Sequence, residues 1–258
     1  MDIRGSDTMV NLGAAWAEAY MDLHSNFSIA VQGGGSGTGI AQLLNKNCDI
    51  AQASRGIKGS EIDAGKAAGF DVYEVIAAYD GVAIVVHPAN PVEELTIEQL
   101  GQILRGEITN WSAVGGTSTP IVVASRDTAS GTHVFIKELL VQRDGALKDA
   151  EYGPEVQFLP STSAIVTEVS QNVNAFGYVG LGYMVPEIRA IKVKADADSP
   201  GVEPSVAAVQ AGTYGVARPL FLYLPGEPQG AVKDYIDWIL SPDGQAVVAR
   251  LGFVPTSQ

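Results

Sequence analysis

The tripeptide Ser-Gly-Thr stands twice in this chain, at 36–38 and at 130–132, each time between a strand-like run and a helix-like run. A strand that feeds a loop of small residues into a helix start is a joint of an α/β fold, which leaves few other architectures open. The first backbone N–H groups of such a helix lack partners within it and sit at the positive end of its dipole, so the joint suits an anion. Arg126 lies four residues ahead of the second copy and adds a planar fork of donors. Two joints in distant parts of one chain predict two half-sites that face each other across a cleft.

The remaining pattern is also α/β. Strand-like runs at 3–6, 27–31, 48–53 and 73–78 alternate with helical spacing at 11–24, 37–44 and 61–68. This order predicts a mostly parallel sheet with helices on both faces. Residues 72–87 are β-prone throughout, too long for an ordinary strand, and Asp80-Gly81 interrupts their middle. A second such run covers 215–224, where Pro219 suits an edge or a passage between domains. Two crossing runs imply one lobe from 1–80 plus 218–258 and a second lobe inserted at 81–217. The inserted part holds a helix at 96–104, with Thr96 and Gln99 as a capping box. It continues with a strand at 121–125, a helix at 133–141, a helix at 165–173 and a strand at 176–181. Two amphipathic helices, 231–240 and 243–251, close the chain.

Several function classes are excluded by composition. A formal net charge of -13 argues against nucleic acid or an anionic membrane as a partner, so any bound anion must be held by a local field. The single cysteine, Cys48, ends an apolar run and reads as a small buried residue; it allows no internal disulfide. With His24, His87 and His133 far apart, no metal cluster is expected. No run approaches the roughly 20 apolar residues of a membrane span, and no signal segment precedes the first strand.

The glycine-rich stretch 33–39, Gly-Gly-Gly-Ser-Gly-Thr-Gly, is not a P-loop, because no Gly-Lys-Ser/Thr follows in register. Thr38 stands where both the dinucleotide fingerprint and the nucleophile elbow require glycine. What remains is a strand–loop–helix turn with two hydroxyls, Ser36 and Thr38. Three further joints carry donors: Ser6-Asp7-Thr8 after the first strand, Ser54-Arg55 after the third, and Arg126 with Ser130 and Thr132. In open α/β sheets, ligands bind at these carboxyl ends of strands. Lacking a readable base, nucleophile or metal cluster, such a site fits binding better than catalysis, and His133 reads as structural.

These residues resemble the phosphate-binding proteins of bacterial and archaeal phosphate ABC transporters. The resemblance runs through most of the chain. It rests on Gly5 through Thr8, Gln32 through Gly39, Ser54-Arg55, the run Gly-Glu-Ile-Thr-Asn-Trp at 106–111, Arg126 with Ser130-Gly131-Thr132, 176–180, and Gly-Phe-Val-Pro at 252–255. It implies a periplasmic-binding-protein type II fold: two α/β lobes, each a mixed, mostly parallel sheet flanked by helices, joined by two hinge strands. It also implies a monomer that closes on inorganic phosphate and docks on a membrane permease, with no cofactor, metal or catalytic residue. The location implied is periplasmic or anchored at the cell surface, with Met1 a start that replaces a removed leader. Carried over residue by residue, Thr8 and the Met9 backbone donate from the first helix start and Ser36 from the second. Arg126, Ser130, Gly131 and Thr132 donate from the opposite lobe. Ser6, Asp7, Gly37, Thr38, Ser54, Arg55 and Asp80 complete the expected site, and Trp111 is packing.

Two positions depart from one branch of that family. Arg55 stands where the branch has an aspartate that accepts the phosphate proton, and Thr128 where it has an acidic residue. An acceptor carboxylate distinguishes protonated phosphate from sulfate, which has no proton to give at neutral pH. Asp80 is the first candidate for that role and Asp7 the second. Alternatives are a binder of sulfate, arsenate or molybdate, a phosphatase-like enzyme on the same cradle, or an adhesion or sensory module.

Overall fold

The computed structural model describes residues 1–256. The chain divides into two compact units. Unit 1 comprises Met1–Asp80, Ala129–Thr132 and the stretch from Arg218; unit 2 comprises Gly81–Thr128 and His133–Ala217. The expected first lobe runs to 258, and its last two residues lie outside those described. The sequence placed 129–132 in the inserted lobe; the packing assigns them to unit 1, because Gly131 lies against Ser36 and Ser54 there.

Unit 1 begins with β1 (Asp2–Gly5), a 3-10 turn (Asp7–Met9), α1 (Val10–Leu23), β2 (Ala30–Gln32), α2 (Ser36–Leu44), β3 (Ile50–Ala53) and α3 (Gly59–Ala67). Next, β4 (Tyr73–Val86) runs without a break through Asp80-Gly81, although the Asp-Gly pair suggested an interruption. Unit 2 continues with β5 (Glu94–Thr96), α4 (Ile97–Leu104), β6 (Val122–Arg126), α5 (Gly131–Ile136), β7 (Gln157–Leu159), α6 (Thr162–Gln171), β8 (Ala175–Gly180), β9 (Arg189–Ala190), β10 (Lys192–Lys194) and α7 (Val206–Gln210). The chain returns through β11 (Ala217–Leu224) to α8 (Gly230–Leu240) and α9 (Pro242–Arg250). The Thr96–Gln99 capping box at α4 is formed in both directions. The helix expected at 133–141 starts earlier, at Gly131, and passes into a π-helical turn at Lys137–Val141.

In unit 1, β1 pairs in parallel with β2 and β3. The fourth neighbour is not β4, as the βαβαβαβ order suggested, but β11, which pairs antiparallel with β3 and lies between it and β4. Alternation along β11 sorts its side chains. Leu220, Leu222 and Leu224 join Leu12, Trp16, Tyr20, Tyr235 and Phe253 beneath α1, α8 and α9. Phe221 and Tyr223 join Ile40, Leu43 and Cys48 on the opposite face. In unit 2, β4 pairs antiparallel with β8, and β6 pairs in parallel with β7 and β8. Val82, Ile84 and Val86 point into one core with Leu100, Trp111 and Phe176, and Ala83 and Val85 into another with Ile165 and Val169. Coverage of both faces is why this half of β4 reads as an unbroken apolar run.

Candidate functional site

In unit 1, the turns that leave β1 and β3 and the start of α2 converge. Ser6 Oγ donates to Ser54 Oγ at 2.9 Å, and Ser36 Oγ lies 3.3 Å from the same oxygen. The Ser54 backbone N–H donates to Ser36 Oγ at 3.0 Å. Ser6 is fixed from behind by Gln52, whose carbonyl accepts the Ser6 N–H and whose Nε2 donates to the Ser6 carbonyl. All four side chains are buried. The segment 129–132 closes on this group. Gly37 N–H donates to the Ala129 carbonyl at 3.1 Å, and a Cβ on Gly131 would run into Ser36 Oγ and Ser54 Oγ, so only glycine fits there. Ser130 Oγ accepts the Thr132 N–H at 3.2 Å, the bond of an N-cap, and Thr132 Oγ1 lies 2.9 Å from Thr8 Oγ1.

A buried ion pair completes the group. Arg218 donates through the two hydrogens of one terminal nitrogen to Thr132 Oγ1 at 2.8 Å and to Asp80 Oδ2 at 3.1 Å, with Thr8 Oγ1 3.5 Å from the same nitrogen. Asp80 is fully enclosed and Arg218 only 3% exposed, so this cation and carboxylate meet away from bulk water. Hydroxyls and an arginine neutralised by its carboxylate make a buried, charge-balanced cluster, the chemistry that suits a dehydrated oxyanion.

Unit 2 holds its own buried arginine at the end of β6. Arg126 donates to Thr162 Oγ1 at 2.8 Å and to the Pro160 carbonyl at 3.1 Å. Tyr178 OH accepts the Arg126 N–H and lies 2.6 Å from Ser125 Oγ. His133 Nδ1 is 2.8 Å from the Arg126 carbonyl; a carbonyl only accepts, so Nδ1 carries the proton. Burial lowers the His133 pKa, partly opposed by that hydrogen bond, and its ring packs on Tyr152 and Phe158. His133 is thus a neutral strut for Arg126. Among the described residues no group of His, Cys, Asp and Glu is arranged to hold a metal ion, and no helix is long and apolar enough to cross a membrane.

A family model, the PBP superfamily domain, matches residues 2–243. Phosphate-binding protein PstS of Pseudomonas aeruginosa is 30% identical over 268 aligned positions, covering 97% of this chain and 81% of that protein. The chain belongs to the PstS family of the PBP superfamily. A substrate-binding protein from Clostridium perfringens, solved with bound phosphate, superimposes with a TM-score of 0.89 at 33% identity, covering 100% of this chain and 99% of that one. An ABC-type phosphate transport receptor from Vibrio cholerae does so with a TM-score of 0.77 at 30% identity, covering 98% and 99%. The fold is therefore the two-lobed α/β fold of the periplasmic binding proteins.

Within this PstS family member, the residues singled out in the sequence fare unequally. Ser6, Thr8, Ser36, Ser54, Asp80, Ser130, Gly131 and Thr132 are brought together in unit 1. Thr38 is exposed, because it lies two residues, about 200° of helix rotation, beyond the inward-facing Ser36. The Met9 N–H donates to the Ser6 carbonyl at 3.1 Å within the 3-10 turn. Asp7 lies beside Gly33, whose Cβ would stand 3.2 Å from Asp7 Oδ1. Arg55 forms a two-pronged pair with Glu61, at 2.9 and 2.6 Å, while one of its nitrogens flanks Gly37. Burial pushes the Glu61 carboxyl up, but the hydrogen bonds from Arg55 and the Lys58 N–H outweigh it and hold the pKa below the usual range. Arg218 was missed, as were Gln52, Thr162 and Tyr178. The signal for Arg218 is a lone cation in an apolar strand run, matched by Asp80, an anion in the middle of the other long run.

Proposed function

We propose that this chain captures inorganic phosphate and delivers it to the permease of a phosphate ABC transporter, acting outside the cytoplasm as a monomeric binding protein and not as an enzyme. Membership of the PstS family supports the ligand class. The observation that carries the reading is the group Ser6, Thr8, Ser36, Ser54, Ser130 and Thr132, buried hydroxyls at strand ends of the kind a tetrahedral oxyanion needs for its oxygens. Arg126, braced by Thr162, Tyr178 and His133, is the guanidinium assigned to the same ligand. The lobe made by 1–80 with 218–258, and the one inserted at 81–217, are the bodies that closure brings onto it; 129–132 travel with the first.

The test is calorimetric titration of protein stripped of ligand by unfolding and refolding, with phosphate and then with sulfate, arsenate and molybdate in competition. Arg126→Ala is expected to weaken phosphate binding at least about tenfold, the loss that goes with a hydrogen bond to a charged group. Unchanged affinity in that variant removes Arg126 from the site. Tighter binding of sulfate or molybdate than of phosphate reassigns the ligand.

A further inference from the structure

One buried polar side chain in unit 1 is poorly placed for stability. Gln52 is fully enclosed on β3, on the same face as Ile50, which belongs to the apolar core beneath α1. Its Nε2 donates to the Ser6 carbonyl at 3.2 Å, and because a carbonyl only accepts, that bond fixes which way the amide lies. Oε1 is then turned toward Gly13 of α1 and has no hydrogen-bond partner among the described residues. A Cβ on Gly13 would stand 2.6 Å from Oε1 and 3.1 Å from Val31 Cγ1, so the amide fills the room that a side chain there would need. An orphaned buried acceptor and a glycine inside a helix each lower stability. An apolar pair at positions 13 and 52 would incur neither penalty, so stability alone does not account for the glutamine.

We infer that Gln52 is a positioning residue for phosphate binding, whose amide ties the turn presenting Ser6 and Thr8 to the strand that ends in Ser54. The inference rests on the phosphate reading above and names a further residue of that site. The Ser6 carbonyl accepts twice, from the Met9 N–H at 3.1 Å and from Gln52 Nε2. The first bond closes the 3-10 turn, and the second fastens that turn to β3. The Ser6 N–H donates to the Gln52 carbonyl at 2.7 Å, so backbone and side chain of one residue grip Ser6 from both sides. Ser6 Oγ and Thr8 Oγ1 leave from this turn, and Ser54, whose Oγ accepts from Ser6, stands two residues beyond Gln52. Without the amide the Ser6 carbonyl still has the Met9 N–H, so its removal strands no new group. What is lost is the register between the turn and the strand end, and with it the aim of the hydroxyls.

The test sets phosphate affinity against stability in the whole chain, stripped of ligand. Gln52→Met, unbranched and of similar length, is expected to weaken phosphate binding at least about fivefold by calorimetry. Its denaturant midpoint is expected at or above that of wild type, because the orphaned acceptor is gone. A residue that only supports the core would show the reverse, a lower midpoint with affinity intact, and that result would overturn the inference. The loss must also run through the turn. In a Thr8→Val background, where the turn has already lost a hydroxyl, Gln52→Met is expected to cost only about twofold or less. A loss that persists there in full would show that Gln52 acts apart from the turn, and would overturn the inference as well. Gly13→Ala displaces the amide from its seat and is expected to weaken binding by about threefold. It serves if Gln52→Met fails to give a native circular dichroism spectrum, and unchanged affinity in it would then refute the role. If wild type itself binds no phosphate, the phosphate reading fails first, and the inference with it; if wild type binds and the variants bind equally well, the inference alone fails.

Discussion

The two copies of Ser-Gly-Thr are identical in sequence and differ by one residue in where the helix begins. In the first, Gly35 caps α2 at φ 100° and Ser36 is already helical. In the second, Ser130 is the cap and Gly131 the first helical residue. The cap and the second helical position carry glycines in the first copy, Gly35 and Gly37, but hydroxyls in the second, Ser130 and Thr132. The glycines let another backbone approach: Gly37 N–H meets the Ala129 carbonyl, and a Cβ on Gly35 would lie 2.6 Å from that oxygen. One copy makes the room and the other brings the donors into it. Two copies read as half-sites on opposite lobes are two unlike halves of one wall within unit 1.

Substitutions at matching positions can break this comparison. The largest effect is expected for Gly131→Ala, whose new methyl group collides with Ser36 and Ser54; overpacking of this kind costs about 1–3 kcal/mol. Its phosphate binding is expected to vanish from calorimetry. Gly37→Ala is the counterpart, with its methyl at an ordinary 3.6 Å from the Ala129 carbonyl, and is expected to bind as wild type does. If the two alanines behave alike, the copies are equivalent after all.

Hydroxyl removal sharpens the same point at smaller size. Ser36→Ala leaves the buried Ser54 N–H without its acceptor and is expected to cost about 1–3 kcal/mol in denaturant unfolding. Thr38→Ala, on the exposed side of the same turn, is expected to stay within about 0.5 kcal/mol of wild type.

The smallest effect concerns the rim of the first copy, where Glu61 holds Arg55 beside Gly37. The Glu61 carboxyl titrates lower in the folded chain than in the unfolded one, so between the two values the unfolded chain binds the extra proton. The contribution is full above the ordinary glutamate range and is lost as pH falls through the folded value. Glu61→Gln is therefore expected to lower stability by about 1 kcal/mol at neutral pH, a difference that closes in melts taken well below the ordinary glutamate range. A gap that is the same at both pH values would show that Glu61 acts through packing alone.

Local order was well marked in the sequence. The Thr96–Gln99 box, the helical spacing of Leu12, Trp16 and Tyr20, and the glycine breaks each state a short-range rule that the structure obeys. Most of the hydroxyl wall was legible for the same reason, since strand-to-helix joints announce themselves. What escaped was decided by partners distant in sequence. Arg218 meets Asp80 across 138 positions, and nothing near either residue names the other. The insertion of β11 between β3 and β4 is a pairing choice that a βαβ pattern does not encode, and it explains why the sheet is mixed rather than parallel. Thr38 misled because spelling shows which residues stand in a motif and not which way a helix turns them.

That inserted strand has a consequence for biosynthesis. The core of unit 1 joins Ile3 and Trp16 to Leu220, Tyr235 and Phe253, Trp16 Nε1 donates to the Gly244 carbonyl, and Tyr79 bridges to Val254. A ribosome delivers the first eighty residues early, yet the middle strand of their sheet and the helices over their core arrive at the end. Unit 2, nearly one continuous stretch, has its partners to hand sooner. The segment made first is thus completed last, and until β11 slots in, β3 and β4 offer bare strand edges to any chain nearby. A chaperone acting on this protein has its work set by the long wait between residue 80 and residue 218.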